Sequence, residues 1–79
     1  MKELIVTKLA DLREGDVLTA LDGKFYAKPL TVLDELAPIT TGSPVRGVRF
    51  EPPTSSGIEW VFYPAQMDGH RMTINRYGL

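Results

Sequence analysis

The sequence predicts a mainly β domain, a small barrel of about five strands with one short helical turn near residues 64–67. Three observations predict it. Asp22-Gly23 lies between two short apolar segments, the strongest local hairpin signal in the chain. A second pair of strand-like segments, Pro44–Phe50 and Ile58–Tyr63, flanks the turn-rich stretch 51–57. The remaining apolar segments are short, β-branched and bounded by Gly, Pro or charge.

Taken in order, Glu3-Leu4-Ile5-Val6-Thr7 is β-branched and reads as a first strand. The stretch Ala10–Asp16 holds at most one helical turn, because Gly15 ends it and Glu14-Gly15-Asp16 forms a tight turn into the next strand. Val17–Leu21 and Lys24–Lys28 then flank Asp22-Gly23. A two-residue loop pairs Leu21 with Lys24, Ala20 with Phe25, Thr19 with Tyr26 and Leu18 with Ala27, which puts Leu18, Ala20, Phe25 and Ala27 on one face. Pro29 ends, edges or bulges the second arm before Leu30–Leu33 resumes.

Residues 34–44 carry two prolines and a glycine without sustained period, which predicts a long loop. In the Val45–Tyr63 hairpin, Phe50 opposite Ile58 places Arg49 against Glu59 and gathers Val48, Phe50, Ile58, Trp60 and Phe62 on a core face. Pro64–Met67 suits a single helical turn, since proline at its first position gives up no needed N–H. Arg71–Arg76 is the last strand, with Met72 and Ile74 inward. This layout predicts an SH3-like five-stranded barrel, one domain over residues 1–79 with its long loop at 34–44.

Composition narrows the functional classes. With no cysteine, the chain has no disulfide, thiolate zinc site or cysteine nucleophile. Nine basic and ten acidic residues leave a net charge of −1, so no global field draws the protein to nucleic acid or an anionic membrane. No apolar run approaches the length of a membrane span, and the N-terminal apolar block is too short for a signal peptide, so a cytoplasmic protein is expected.

Catalytic, metal-binding and cofactor-binding groups are not expected. His70 is the sole histidine, its nearest sequence partner for general-base work is Asp68, and the reading as an exposed turn histidine is preferred. Ser55 and Ser56 read as turn serines. The carboxylates are spread singly and match no ligand spacing.

Binding readings rest on surface residues. Val61 and Tyr63 project from the back of the Trp60 strand beside Gly47, which has no side chain to cover them. With Tyr26, and with Leu36 and Ile39 from the 34–44 loop, they form the expected protein-binding surface, for another protein or a second copy of the chain. The same loop could instead fold over that face and complete the core. Single-stranded nucleic acid is the alternative partner, through Lys24, Lys28, Arg46, Arg71, Arg76 and Tyr77.

Leu12-Arg13-Glu14-Gly15-Asp16-Val17-Leu18, followed by Asp22-Gly23, Val48-Arg49-Phe50 and Glu59-Trp60-Val61-Phe62, resembles the layout of small proteins encoded by actinobacterial phages. The resemblance implies an SH3-like barrel with an accessory role such as binding a host protein, and it supplies no catalytic residues. The opening motif also looks like a segment of self-splicing Hint domains, but the nucleophile, the paired histidine and the length of that family are missing.

Overall fold

The structure, a computed structural model, describes residues 2–51 and 60–78. Among these residues, seven strands build a curled antiparallel sheet, a half-barrel: β1 (Lys2–Val6), β2 (Val17–Leu21), β3 (Lys24–Val32), β4 (Ala37–Pro38), β5 (Arg46–Glu51), β6 (Trp60–Phe62) and β7 (Met72–Arg76). The spatial order is β1–β7–β2–β3–β5–β4, with β6 also paired to β5. One helical turn, α1 (Pro64–Met67), follows β6 as expected, and a 3₁₀ turn occupies Leu9–Asp11.

Leu18 and Ala20 of β2, Leu30 and Val32 of β3, Val48 and Phe50 of β5, and Met72 and Ile74 of β7 are buried. Among the described residues, Leu9 and Leu12, around the 3₁₀ turn, and Met67 of α1 complete the buried apolar set. The alternation of β7 holds as read from sequence: Met72 and Ile74 face inward, while Thr73 and Asn75 are half-buried. Helical turns supply core side chains that a sheet of this size lacks by itself.

The β2–β3 hairpin begins as predicted. Leu21 faces Lys24, Ala20 faces Phe25, and both turn residues take positive φ, 51° at Asp22 and 83° at Gly23, as a type I′ turn demands. The pairing then changes, because Leu18 lies opposite Leu30 rather than Ala27, with Thr19 set against the four residues Tyr26–Pro29. Proline cannot donate to the ladder, and the bulge carries Pro29 past β2 without a lost bond. The expected common face therefore breaks: Leu18 and Ala20 are core, whereas Ala27 is exposed and Phe25 is 81% exposed.

The predicted loop at 34–44 contains a strand. Thr31 and Val32 pair with Glu51 and Phe50, the Leu33 N–H donates to the Arg49 carbonyl at 2.8 Å, and Ala37 and Pro38 pair with Gly47 and Arg46. The chain thus follows β5 from Thr31 to Pro38 with two extra residues accommodated between Val32 and Ala37. Proline is tolerated here because β4 lies at the end of the strand order.

The second hairpin keeps its faces and shifts its register by two residues. Val48, Arg49 and Phe50 face Phe62, Val61 and Trp60. A shift of two preserves side-chain direction, so Val48, Phe50, Trp60 and Phe62 still share a face. The Phe50 and Phe62 rings stand 4.9 Å apart, and those of Trp60 and Phe62 6.5 Å. Val61 is therefore the residue across from Arg49. The expected pairings with Ile58 and Glu59 lie outside the described residues.

Candidate binding surface

Gly47 is buried in β5, with Ala37 of β4 as its cross-strand partner. A Cβ placed there would lie 3.0 Å from the Phe62 carbonyl oxygen, 3.0 Å from Val61 Cγ1 and 3.4 Å from Tyr63 Cδ1. The missing side chain is what lets Val61 and Tyr63 settle onto β5, and both are half-buried rather than projecting freely. A cleft of about 300 Å³ opens beside the same glycine, lined by residues 34–39 together with Gly47 and Arg49. Leu36, Ala37, Pro38 and Ile39 supply its apolar part; Asp34, Glu35 and Arg49 are its charged groups.

Two arginines hold the 34–39 segment to β5. Arg46 Nη2 donates to the Leu36 carbonyl at 3.3 Å, and Arg49 Nη2 donates to the Ile39 carbonyl. Arg49 Nη1 also lies 4.0 Å from Asp34 Oδ2. Four of the five residues expected to bind protein (Leu36, Ile39, Val61 and Tyr63) thus meet at Gly47. Within the 34–44 segment Leu36 packs against the core, and Leu36 and Ile39 both line the cleft.

Tyr26, the fifth, lies elsewhere. With Ala27, Lys28, Leu30 and Trp60 it lines a second cleft, about 340 Å³ and almost wholly apolar. Burial pushes the Tyr26 phenol above its ordinary pKa. Trp60, read from sequence as core, is 40% exposed at this cleft. Its strand, β6, is three residues long and pairs with β5 off the main strand order.

The cationic candidates are dispersed. Lys24 and Arg71 are exposed near the β2–β3 turn, Lys28 borders the second cleft, and Arg46 is engaged with Leu36. Tyr77 is exposed, but Arg76 is committed to structure. Its Nε and Nη2 donate to Asp16 Oδ1 and Oδ2 at 3.0 and 2.8 Å, a bidentate fork, and Nη2 also donates to the Asp11 carbonyl at 2.9 Å. Asp16, 1% exposed, further accepts the Arg13 N–H at 2.8 Å. Burial alone would raise the Asp16 carboxyl; the Arg76 fork and the Arg13 N–H outweigh it and hold the group below its ordinary value.

His70 pairs with Asp22, not Asp68. Its Nδ1 lies 2.6 Å from Asp22 Oδ2, and the Arg71 N–H donates to Asp22 Oδ1 at 2.8 Å. Asp68 Oδ1 instead accepts the Leu9 N–H at 2.9 Å. His70 and Asp22 are 48% and 45% exposed, and neither lines either cleft. Among the described residues no three His, Asp or Glu side chains are grouped to hold a metal ion, and no helix is long and apolar enough to cross a membrane.

No protein-family model, curated protein or solved structure matches this chain.

Proposed function

We propose that this chain is a non-enzymatic binding module of SH3-like type that acts through protein–protein contact at the cleft beside Gly47. The observation that carries the reading is the composition of that cleft: an apolar strip from Leu36 to Ile39 against Gly47, with Asp34, Glu35 and Arg49 among its lining. An apolar centre with a polar surround is the anatomy of a protein interface. The resemblance to small phage proteins makes a host protein the partner class.

A second reading, binding of single-stranded nucleic acid, draws on the other cleft, where Lys28 adjoins Tyr26 and Trp60. Stacking on aromatic rings beside a cation is the way single strands are held without sequence preference.

Affinity capture from host extract with the wild-type chain and an Ile39→Asp variant tests the first reading. The expected result is a defined partner retained by the wild type and lost by the variant, at an unchanged thermal midpoint. Equal capture by both, or no capture from a monomeric wild type, overturns it. A salt-sensitive change in Trp60 fluorescence on adding a single-stranded oligonucleotide then puts the second reading in its place.

A further inference from the structure

The sequence contains two Asp-Gly dipeptides, Asp22-Gly23 and Asp68-Gly69, and the structure holds their reacting atoms differently. At such a dipeptide the glycine amide nitrogen can attack the aspartate side-chain carbonyl carbon. Water leaves, with the departing oxygen coming from the carboxyl group, and a cyclic imide remains. Addition of water to either imide carbonyl then gives back aspartate or gives isoaspartate, whose main chain runs through the side-chain methylene. Water is the sole co-reactant, and glycine favours the ring closure because no side chain shields its nitrogen.

At Asp68-Gly69 both partners in that reaction are tied down. The Gly69 N–H donates to the Thr7 carbonyl at 2.8 Å, and Asp68 Oδ1 accepts the Leu9 N–H at 2.9 Å. At Asp22-Gly23 the hold falls on the aspartate. Its backbone N–H donates to the Arg71 carbonyl at 2.8 Å, Oδ1 accepts the Arg71 N–H at 2.8 Å, and Oδ2 meets His70 Nδ1 at 2.6 Å. The hydrogen bond of a type I′ turn joins the residues on either side of the loop, Leu21 and Lys24, and leaves the Gly23 N–H outside it.

We propose that Asp22-Gly23 is the site at which the folded protein isomerises to isoaspartate, and that the His70 contact restrains it. The contact to His70 fixes Oδ2, so the carboxyl carbon cannot swing toward the Gly23 nitrogen while both Asp22 oxygens are occupied. The contacts also favour the ionised carboxylate, the form that does not expel water: the Arg71 N–H first and His70 second hold it below its ordinary value. Conversion would lengthen the two-residue turn by one main-chain atom and withdraw the carboxylate from Arg71, a covalent change that marks the age of the molecule at the junction of the β2–β3 hairpin with β7.

Peptide mapping tests this directly, because trypsin separates the two sites into Glu14–Lys24 and Phe50–Arg71. Wild type and His70→Ala are incubated at 37 °C and neutral pH, alongside the free synthetic Glu14–Lys24 peptide, and isoaspartate is read in each fragment by mass spectrometry. The expected order for position 22 is free peptide fastest, His70→Ala severalfold slower than the peptide but faster than wild type, and wild type slowest, with position 68 slower still in both proteins. Equal rates at position 22 in wild type and His70→Ala overturn the restraint. Faster conversion at position 68 overturns the site assignment. A rise shared equally by both fragments in His70→Ala reports loss of the whole fold and likewise removes the local role of His70.

Discussion

Removing the Asp16 carboxylate is expected to destabilise the fold more than any exposed charge change, and the size of the loss follows from its surroundings. Asp16 is 1% exposed and accepts both arms of the Arg76 fork as well as the Arg13 N–H. In Asp16→Ala the guanidinium keeps the Asp11 carbonyl but loses its charge partner, and the Arg13 N–H loses its acceptor. Breaking a buried pair from one side costs about 3–5 kcal/mol. At roughly 0.05–0.15 kcal/mol per residue, a chain of 79 residues has a total stability of roughly 4–12 kcal/mol, so this one change removes a large share of it. The midpoint of thermal unfolding should fall by at least roughly 12 °C, at about 4 °C or more per kcal/mol for a domain of this size. Urea titration followed by the fluorescence of the single tryptophan measures the loss. A value under about 1 kcal/mol, the range of exposed ion pairs, would refute the reasoning.

The same pair sets an acid dependence. Because the folded Asp16 carboxyl lies below its ordinary value, the folded state binds the proton less readily than the unfolded chain, whose aspartates titrate near about 3.9. Its stabilisation is therefore fully present above that value and is lost as pH falls through it toward the folded value. Asp16→Ala should flatten the acid limb of the stability profile relative to wild type, and an unchanged limb would argue that other carboxylates govern it.

Two glycine substitutions separate contact from conformation. Gly47→Ala places a methyl 3.0 Å from the Phe62 carbonyl and Val61 Cγ1, so β6 must move, with an expected loss of about 1–3 kcal/mol by urea titration. An unaltered midpoint would mean that β6 does not rest on Gly47. Gly23→Ala meets nothing within 4 Å, yet its φ of 83° is unfavourable for a side chain. The expected loss is about 1–2 kcal/mol, and Gly23→Asn, which tolerates that region better, should recover part of it.

Local chemistry made several elements legible in the sequence. The Asp22-Gly23 turn follows from its need for positive φ, α1 from proline at a first helical position, and the inward set of β7 from period-two alternation. The shared face of Val48, Phe50, Trp60 and Phe62 survived a two-residue error in register, because side-chain direction repeats every two residues whatever the partner. Among site residues, the cluster at Gly47 was readable for a similar reason: a glycine in a strand marks a close approach, and Val61 and Tyr63 lie on the same back face in either register.

What the tertiary structure decided were the long-range partners. Residues 34–38 look irregular alone, and the edge of β5 gives Ala37 and Pro38 strand form by supplying backbone partners. Arg76 reads as a surface cation until the fold brings Asp16, sixty positions away, against it. His70 reads from sequence as an exposed turn histidine whose nearest carboxylate is Asp68, and closure of the sheet delivers Asp22 to it and Leu9 to Asp68. Patterns along the chain determine which way a side chain points, because the backbone repeat is local. Which group it meets depends on how the sheet curls, and that is settled by all the strands together.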